Sequence, residues 1–217
     1  EYICNFIMSK LETNTIDTVS GTSTLQVGST NTSTITLGVS GDTINVPSGV
    51  TIANSGTATG FGGITMEDMW RLTTNYSKSG SGTADLTTNW ERADSYGYAQ
   101  IGTGMTESSG VFSFPSTGIY HVSFKGNMYA DGGARLYIGG IIYVTTNNSS
   151  YNNAADSYDS AYTGSAYGNF STEIILDVTD TSTHKVKFGT STAGSTVFEG
   201  DTNTNRTHAL FIRLGDT

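Results

Sequence analysis

The sequence predicts an all-β chain: a C-terminal sandwich of short strands behind a thin, β-rich N-terminal stalk. Three observations carry this expectation. Hydrophobic residues make up 35% and charged residues only 13% of the 217 positions. The balance is Thr, Ser, Asn and Gly, whereas disordered tails are usually highly charged. Threonine, being β-branched, suits pleated strands, and Gly, Asn and Ser supply turns. Strand-like runs also recur over residues 80–217 at the spacing of a sandwich. Finally, no helix-length amphipathic segment interrupts those runs.

Residues 1–10 are expected to be a leader or anchor. Met8-Ser9-Lys10 reads as an ordinary translation start, with Glu1 to Ile7 ahead of it. The segment has neither the basic n-region nor the long apolar core of a secretion signal. Cys4 is the single cysteine, so no intrachain disulfide framework is expected. No apolar run approaches the roughly 18 residues that cross a bilayer, so no membrane insertion is expected.

Residues 11–60 are expected to form the stalk. Apolar residues alternate in small groups: Leu25 and Val27; Ile35, Leu37 and Val39; Ile44 and Val46; Val50 and Ile52. Gly28, Gly38, Gly41 and Gly49 lie between them and mark turns. Each strand offers two or three apolar side chains, too few for one copy to offset its ordering entropy. Three copies around an axis would each donate a thin stripe to a shared core; the alternative is a disordered Ser/Thr/Gly linker.

Residues 61–79 form a junction after the Gly62-Gly63 break. Thr65 followed by Asp68 resembles a capping box with Asp in place of Glu. Met66, Met69, Trp70 and Leu72 would then line one face of a two-turn helix. So short a helix needs tertiary support; the alternative is a loop around a buried Trp70.

In the head, strand-like runs cover Tyr96–Ile101, Gly110–Phe114, Gly118–Phe124, Ala134–Ile138, Ile141–Val144, Phe170–Val178, Lys185–Phe188, Ser195–Phe198 and Thr207–Leu214. The last sets Ala209, Phe211 and Arg213 against Leu210, Ile212 and Leu214. It is apolar on both faces, as in a central sandwich strand or a strand between subunits.

The net charge is −9, and ten Lys and Arg are spread along the chain without a patch. That counts against nucleic-acid binding. Catalytic motifs are missing as well. His121, His184 and His208 sit in no ligand-spaced motif, and there is no Gly-x-Ser-x-Gly elbow or Walker loop. The chain is therefore expected not to be an enzyme and to need no cofactor. Asp131, followed by Gly132-Gly133, and Asp156 with Asp159 are oxygen-rich turn candidates. Calcium is the cation such ligands would take.

The most informative stretch runs from Tyr143 to Phe170. It is dense in Tyr, Ser, Asn, Gly and Asp, the composition of adaptable binding loops. Tyrosine brings rigid apolar area with a polar tip, and Asn and Asp bring hydrogen bonds suited to sugar hydroxyls. Tyr151, Tyr158, Tyr162, Tyr167, Asn152 and Asn153 are the expected receptor contacts. The bland alternative is packing against a neighbouring subunit.

Residues Thr106 to Phe124 carry a family resemblance. Gly110-x-Phe112, a turn, then Gly118-x-Tyr120-x-Val122-x-Phe124 resembles the C1q/tumour-necrosis-factor-like jelly roll. Leu210-Phe211-Ile212-Arg213-Leu214 fits that family's last strand. The resemblance covers roughly residues 90–217 and lacks the collagen tract and head cysteines of animal members. Thr43 to Gly62 is similar to fibre-like structural proteins of marine tailed phages, including those infecting cyanobacteria. Together these resemblances imply a homotrimer on a virion: a tail fibre, a head fibre or a capsid decoration. Other virion proteins would be its partners, along with a host surface glycan. The alternative is a cellular surface adhesin or an extracellular filament subunit.

Overall fold

The computed structural model describes residues 27, 33–38, 40–53, 63–164 and 166–217. The chain divides into two compact units, Glu1–Thr59 and Gly60–Thr217. In the first unit, the described residues form turns and extended chain with no strand pairing. Gly38, Gly41 and Gly49 adopt positive φ of 82°, 97° and 86°, as turn glycines do. Ile35, Leu37, Ile44, Val46, Val50 and Ile52 are all exposed. Leu25, Gly28, Val39, Cys4 and the leader lie outside the described residues.

The second unit is an antiparallel β-sandwich, with no helix among the described residues. Its strands are β1 (Glu67–Leu72), β2 (Tyr76–Lys78), β3 (Gly82–Asp85), β4 (Trp90–Arg92), β5 (Thr106–Ser108), β6 (Val111–Ser113), β7 (Gly118–Ala130), β8 (Arg135–Thr145), β9 (Asn152–Ala161), β10 (Tyr167–Val178), β11 (Lys185–Thr192), β12 (Thr196–Phe198) and β13 (His208–Gly215). One sheet runs β2-β12-β7-β13-β1-β4, with β10 along the other edge of β7. The second runs β5-β6-β11-β8-β9, with β3 also on β11.

Aromatic side chains from both sheets fill the space between them. Phe112 meets Phe188 and Phe211 with ring centroids 5.3 Å away in each case. Phe124 packs 4.7 Å from both Phe170 and Phe188. Burying several such rings supplies the largest stabilising contribution. The Gly110–Phe124 pattern works as its alternation requires: Phe112, Tyr120, Val122 and Phe124 are fully buried.

Three segments differ from the sequence expectation. Thr65 to Leu72 is neither a helix nor a loop: residues 67–72 form β1, paired to β13 and β4. Alternation sends Met66, Asp68, Trp70 and Leu72 toward the core. Asp68 caps no helix. Its fully buried carboxylate accepts from Arg92 Nε at 2.8 Å, Trp70 Nε1 at 2.8 Å and Met105 N at 2.7 Å. The head sandwich therefore begins before residue 80. The run Tyr96–Ile101 is not a strand; only Ile101 bridges to Glu67. Ala134–Ile138 and Ile141–Val144 merge into the single strand β8.

Candidate functional site

The Tyr143–Phe170 stretch is mostly sheet. Its centre is β9, paired along β8, and its end is β10, paired along the whole of β7. The long binding loop expected here shrinks to turns on either side of β9. Side chains of the stretch are consequently presented from strands.

Register places Tyr158 opposite Gly139, Asp156 opposite Ile141 and Asn153 opposite Tyr143. A bulge between Ile142 and Tyr143 resets the alternation, so Asn153 and Asp156 share the outer face. Asn153 Nδ2 donates to Asp156 Oδ2 at 2.6 Å. Tyr137 and Tyr158 meet edge to face at 5.7 Å, bordering a shallow cavity of about 440 Å³ with Ser191. Glycines make room for these rings. A Cβ at Gly139 would stand 2.6 Å from the Tyr158 ring, and one at Gly189 would stand 2.7 Å from the Tyr143 ring.

Lys187 of β11 was missed in the sequence. Its ammonium lies 4.6 Å from the Tyr151 ring centroid, 5.2 Å from that of Tyr143, and 2.6 Å from Asp85 Oδ2. Burial, and then the Asp85 charge, push the Tyr143 and Tyr151 phenols above their ordinary pKa. Both therefore stay neutral donors at physiological pH. The signal was present in Lys-Val-Lys-Phe, where alternation turns Lys187 outward beside a tyrosine-rich partner strand.

The expected contact residues thus fall in different places. Tyr151, Asn153 and Tyr158 share the outer face of the second sheet. Asn152 pairs with Val144 on the opposite side of β9. Tyr162 is 85% exposed in the turn after β9, and Tyr167 meets Tyr129 at a tilt, with ring centroids 5.5 Å apart, on the first sheet.

The three aspartates are not brought together either. Asp159 accepts from Ser160 N and Asn169 N, bracing the start of β10. Asp156 holds Asn153, and Asp131 follows β7, its backbone carbonyl accepting from Arg135. Among the described residues, no group of three or more His, Cys, Asp or Glu side chains is arranged to hold a metal ion.

The outer face of the first sheet is ordered in rows across β10, β7, β13 and β1. One row is Ile175, His121, Ile212 and Glu67; the next is Glu173, Ser123, Leu210 and Met69. Ile175 and Leu214 are 63% and 55% exposed. His121 Nε2 pairs with Glu173 Oε2 at 3.0 Å between these apolar side chains. A third row, Ser171, Lys125, His208, Arg71 and Glu91, is charged.

No protein-family model and no curated protein matches the chain. Solved structures do. Eiger TNF from S. frugiperda is 14% identical over 71% of this chain and 95% of its own, with a TM-score of 0.53. Murine APRIL at pH 8.0 is 13% identical over 69% and 98%, with a TM-score of 0.49. PRD1 vertex protein P5 is 15% identical over 71% and 100%, with a TM-score of 0.41. The Eiger match, with the two antiparallel sheets, shows the fold: a TNF-like jelly-roll sandwich.

Proposed function

We propose that this protein is a homotrimeric, non-enzymatic structural and binding component of a virion surface. One observation carries the assembly: beside its charged row, the outer face of the first sheet carries an apolar patch where a single sandwich would be polar. Antiparallel sheets usually keep one face for water. Here Leu210, Ile212, Leu214, Ile175 and Met69 form the patch, with Glu67 and the hydrogen-bonded His121 and Glu173 among them. The occupants are two further copies of the chain. The exposed apolar pairs of residues 33–53 have the same need, and three copies would give them a shared core. The C1q/TNF resemblance of residues 106–124 implies the same stoichiometry. The phage-fibre resemblance of Thr43 to Gly62 supports the virion setting.

Trimerisation multiplies weak contacts through effective concentration. Three sandwiches would each display a tyrosine-lined outer face, and cell-surface glycan is the partner its chemistry suits. Chemical cross-linking of the full chain tests the assembly. A three-chain band should form, and Ile212→Asp should abolish it. A ladder without a three-chain endpoint, or a band that survives the substitution, would contradict the proposal.

A further inference from the structure

We propose a second binding site, for an uncharged pyranose sugar, between the turn Ser95–Tyr98 and the loop carrying Asn203, Thr204 and Asn205. It deepens the surface-binding role proposed above and rests on it. The two segments border an open cavity of about 460 Å³, within the range of small-molecule sites.

Tyr96 is the first observation. Tyr98 N donates to Ser95 O at 3.3 Å, closing a four-residue turn. Tyr96 and Gly97 at its centre have φ of 56° and 83°, so both are left-handed. That turn normally takes Asn, Asp or Gly at both central places. A tyrosine there is disfavoured by its Cβ, yet its side chain gains no packing in return, because the residue is 90% exposed. Strained residues of this kind cluster at ligand-binding sites, whereas stability alone would favour Asn or Gly here.

The second observation is the rigidity beneath it. Arg71, 1% exposed, donates to Asp94 Oδ1 at 2.6 Å, Ser95 Oγ at 2.8 Å, Glu91 Oε1 at 2.8 Å and Asn205 Oδ1 at 3.3 Å. Ser95 Oγ in turn donates to Asn203 O at 2.8 Å, tying the two walls together. Asp201 Oδ1 accepts from Asn203 N and Thr204 N. Both walls are therefore fixed before a ligand arrives, which lowers the entropy lost on binding.

The third observation is the chemistry offered. The Tyr96 ring presents a flat apolar face, on which the C–H side of a pyranose can lie. The Asn203 carboxamide and the Thr204 hydroxyl supply donors and acceptors for ring hydroxyls. Arg71 is already spent on Glu91 and Asp94, and Asp94 and Asp201 stand close by. That balance disfavours acidic sugars, hence the uncharged class.

Saturation-transfer NMR on the full chain tests the site. The probes are methyl glycosides of glucose, galactose, mannose, N-acetylglucosamine and rhamnose, with glucuronate as the charged comparison. Transfer to ring protons of at least one neutral glycoside is expected. It should fall at least five-fold in Tyr96→Ala and Asn203→Ala and persist in Tyr96→Phe. Tyr96→Gly should lose the transfer while raising the melting temperature by about 2–4 °C, because the strain is relieved. Absence of transfer from every neutral glycoside, transfer to glucuronate alone, or an unchanged signal in Tyr96→Ala would overturn the site. Light scattering run in parallel separates the two ideas. A trimer without sugar binding sinks this inference and leaves the assembly standing. A change of mass in Tyr96→Ala would make the turn a subunit contact, which also overturns the site.

Discussion

The ring of Phe170 fills the space that a side chain on Gly140 would need: a Cβ there would sit 2.1 Å from the ring. The same ring lies 2.6 Å from the Cβ position of Gly126. Phe170 is thus wedged between a glycine of each sheet and fixes their separation. Gly140→Ala should cost about 2–3 kcal/mol, since a dense core absorbs an added methyl poorly. Thermal or denaturant unfolding checks this, and an Ala variant as stable as the parent would contradict the packing.

Asp68 is a carboxylate that burial would penalise heavily without its donors. Removing it strands the Trp70 and Met105 N–H groups, while Arg92, 38% exposed, keeps its bond to Met105 O. Asp68→Ala should therefore lose about 2–3 kcal/mol, which urea unfolding would read as a lower midpoint at unchanged slope. Asp68→Asn, which keeps the shape and part of the hydrogen bonding, should lose less.

His208 stands in register between Lys125 and Arg71. Burial first, and the Lys125 charge second, hold its imidazole below the ordinary pKa. The unfolded chain therefore takes up this proton at higher pH than the folded one. Stability should be complete above about pH 6.5, the unfolded value, and decline as pH falls below it toward the folded value. The melting temperature should drop between pH 7.5 and 5.5, with a shallower drop in His208→Gln. Equal slopes in the two proteins would remove His208 as the cause.

The sequence showed the sandwich where apolar alternation was strong. Phe112, Tyr120, Val122 and Phe124, and the two-faced run Ala209 to Leu214, read correctly because burial on one or both faces leaves a period of two. Strand β9 hid because its residues, Asn, Asp, Ser and Ala, have low strand propensity; pairing to β8 supplies what the local sequence lacks. Strand β1 hid for the opposite reason. Met66, Met69 and Trp70 imitate helical spacing, while the buried position of Asp68 depends on Arg92, distant in sequence. For the site, composition marked the tyrosines but not their partners: Lys187 and Asp85 join them only through strand register. Tyr96 carried no local signal, since its strain exists only in the folded turn.

Light scattering of the full chain across a dilution series tests the trimer. The particle should have three times the 22.9 kDa chain mass and stay intact on dilution, and Ile212→Asp should scatter as a single chain. A parent protein that scatters as one chain at every concentration would contradict it, leaving the apolar face of β13 without an occupant.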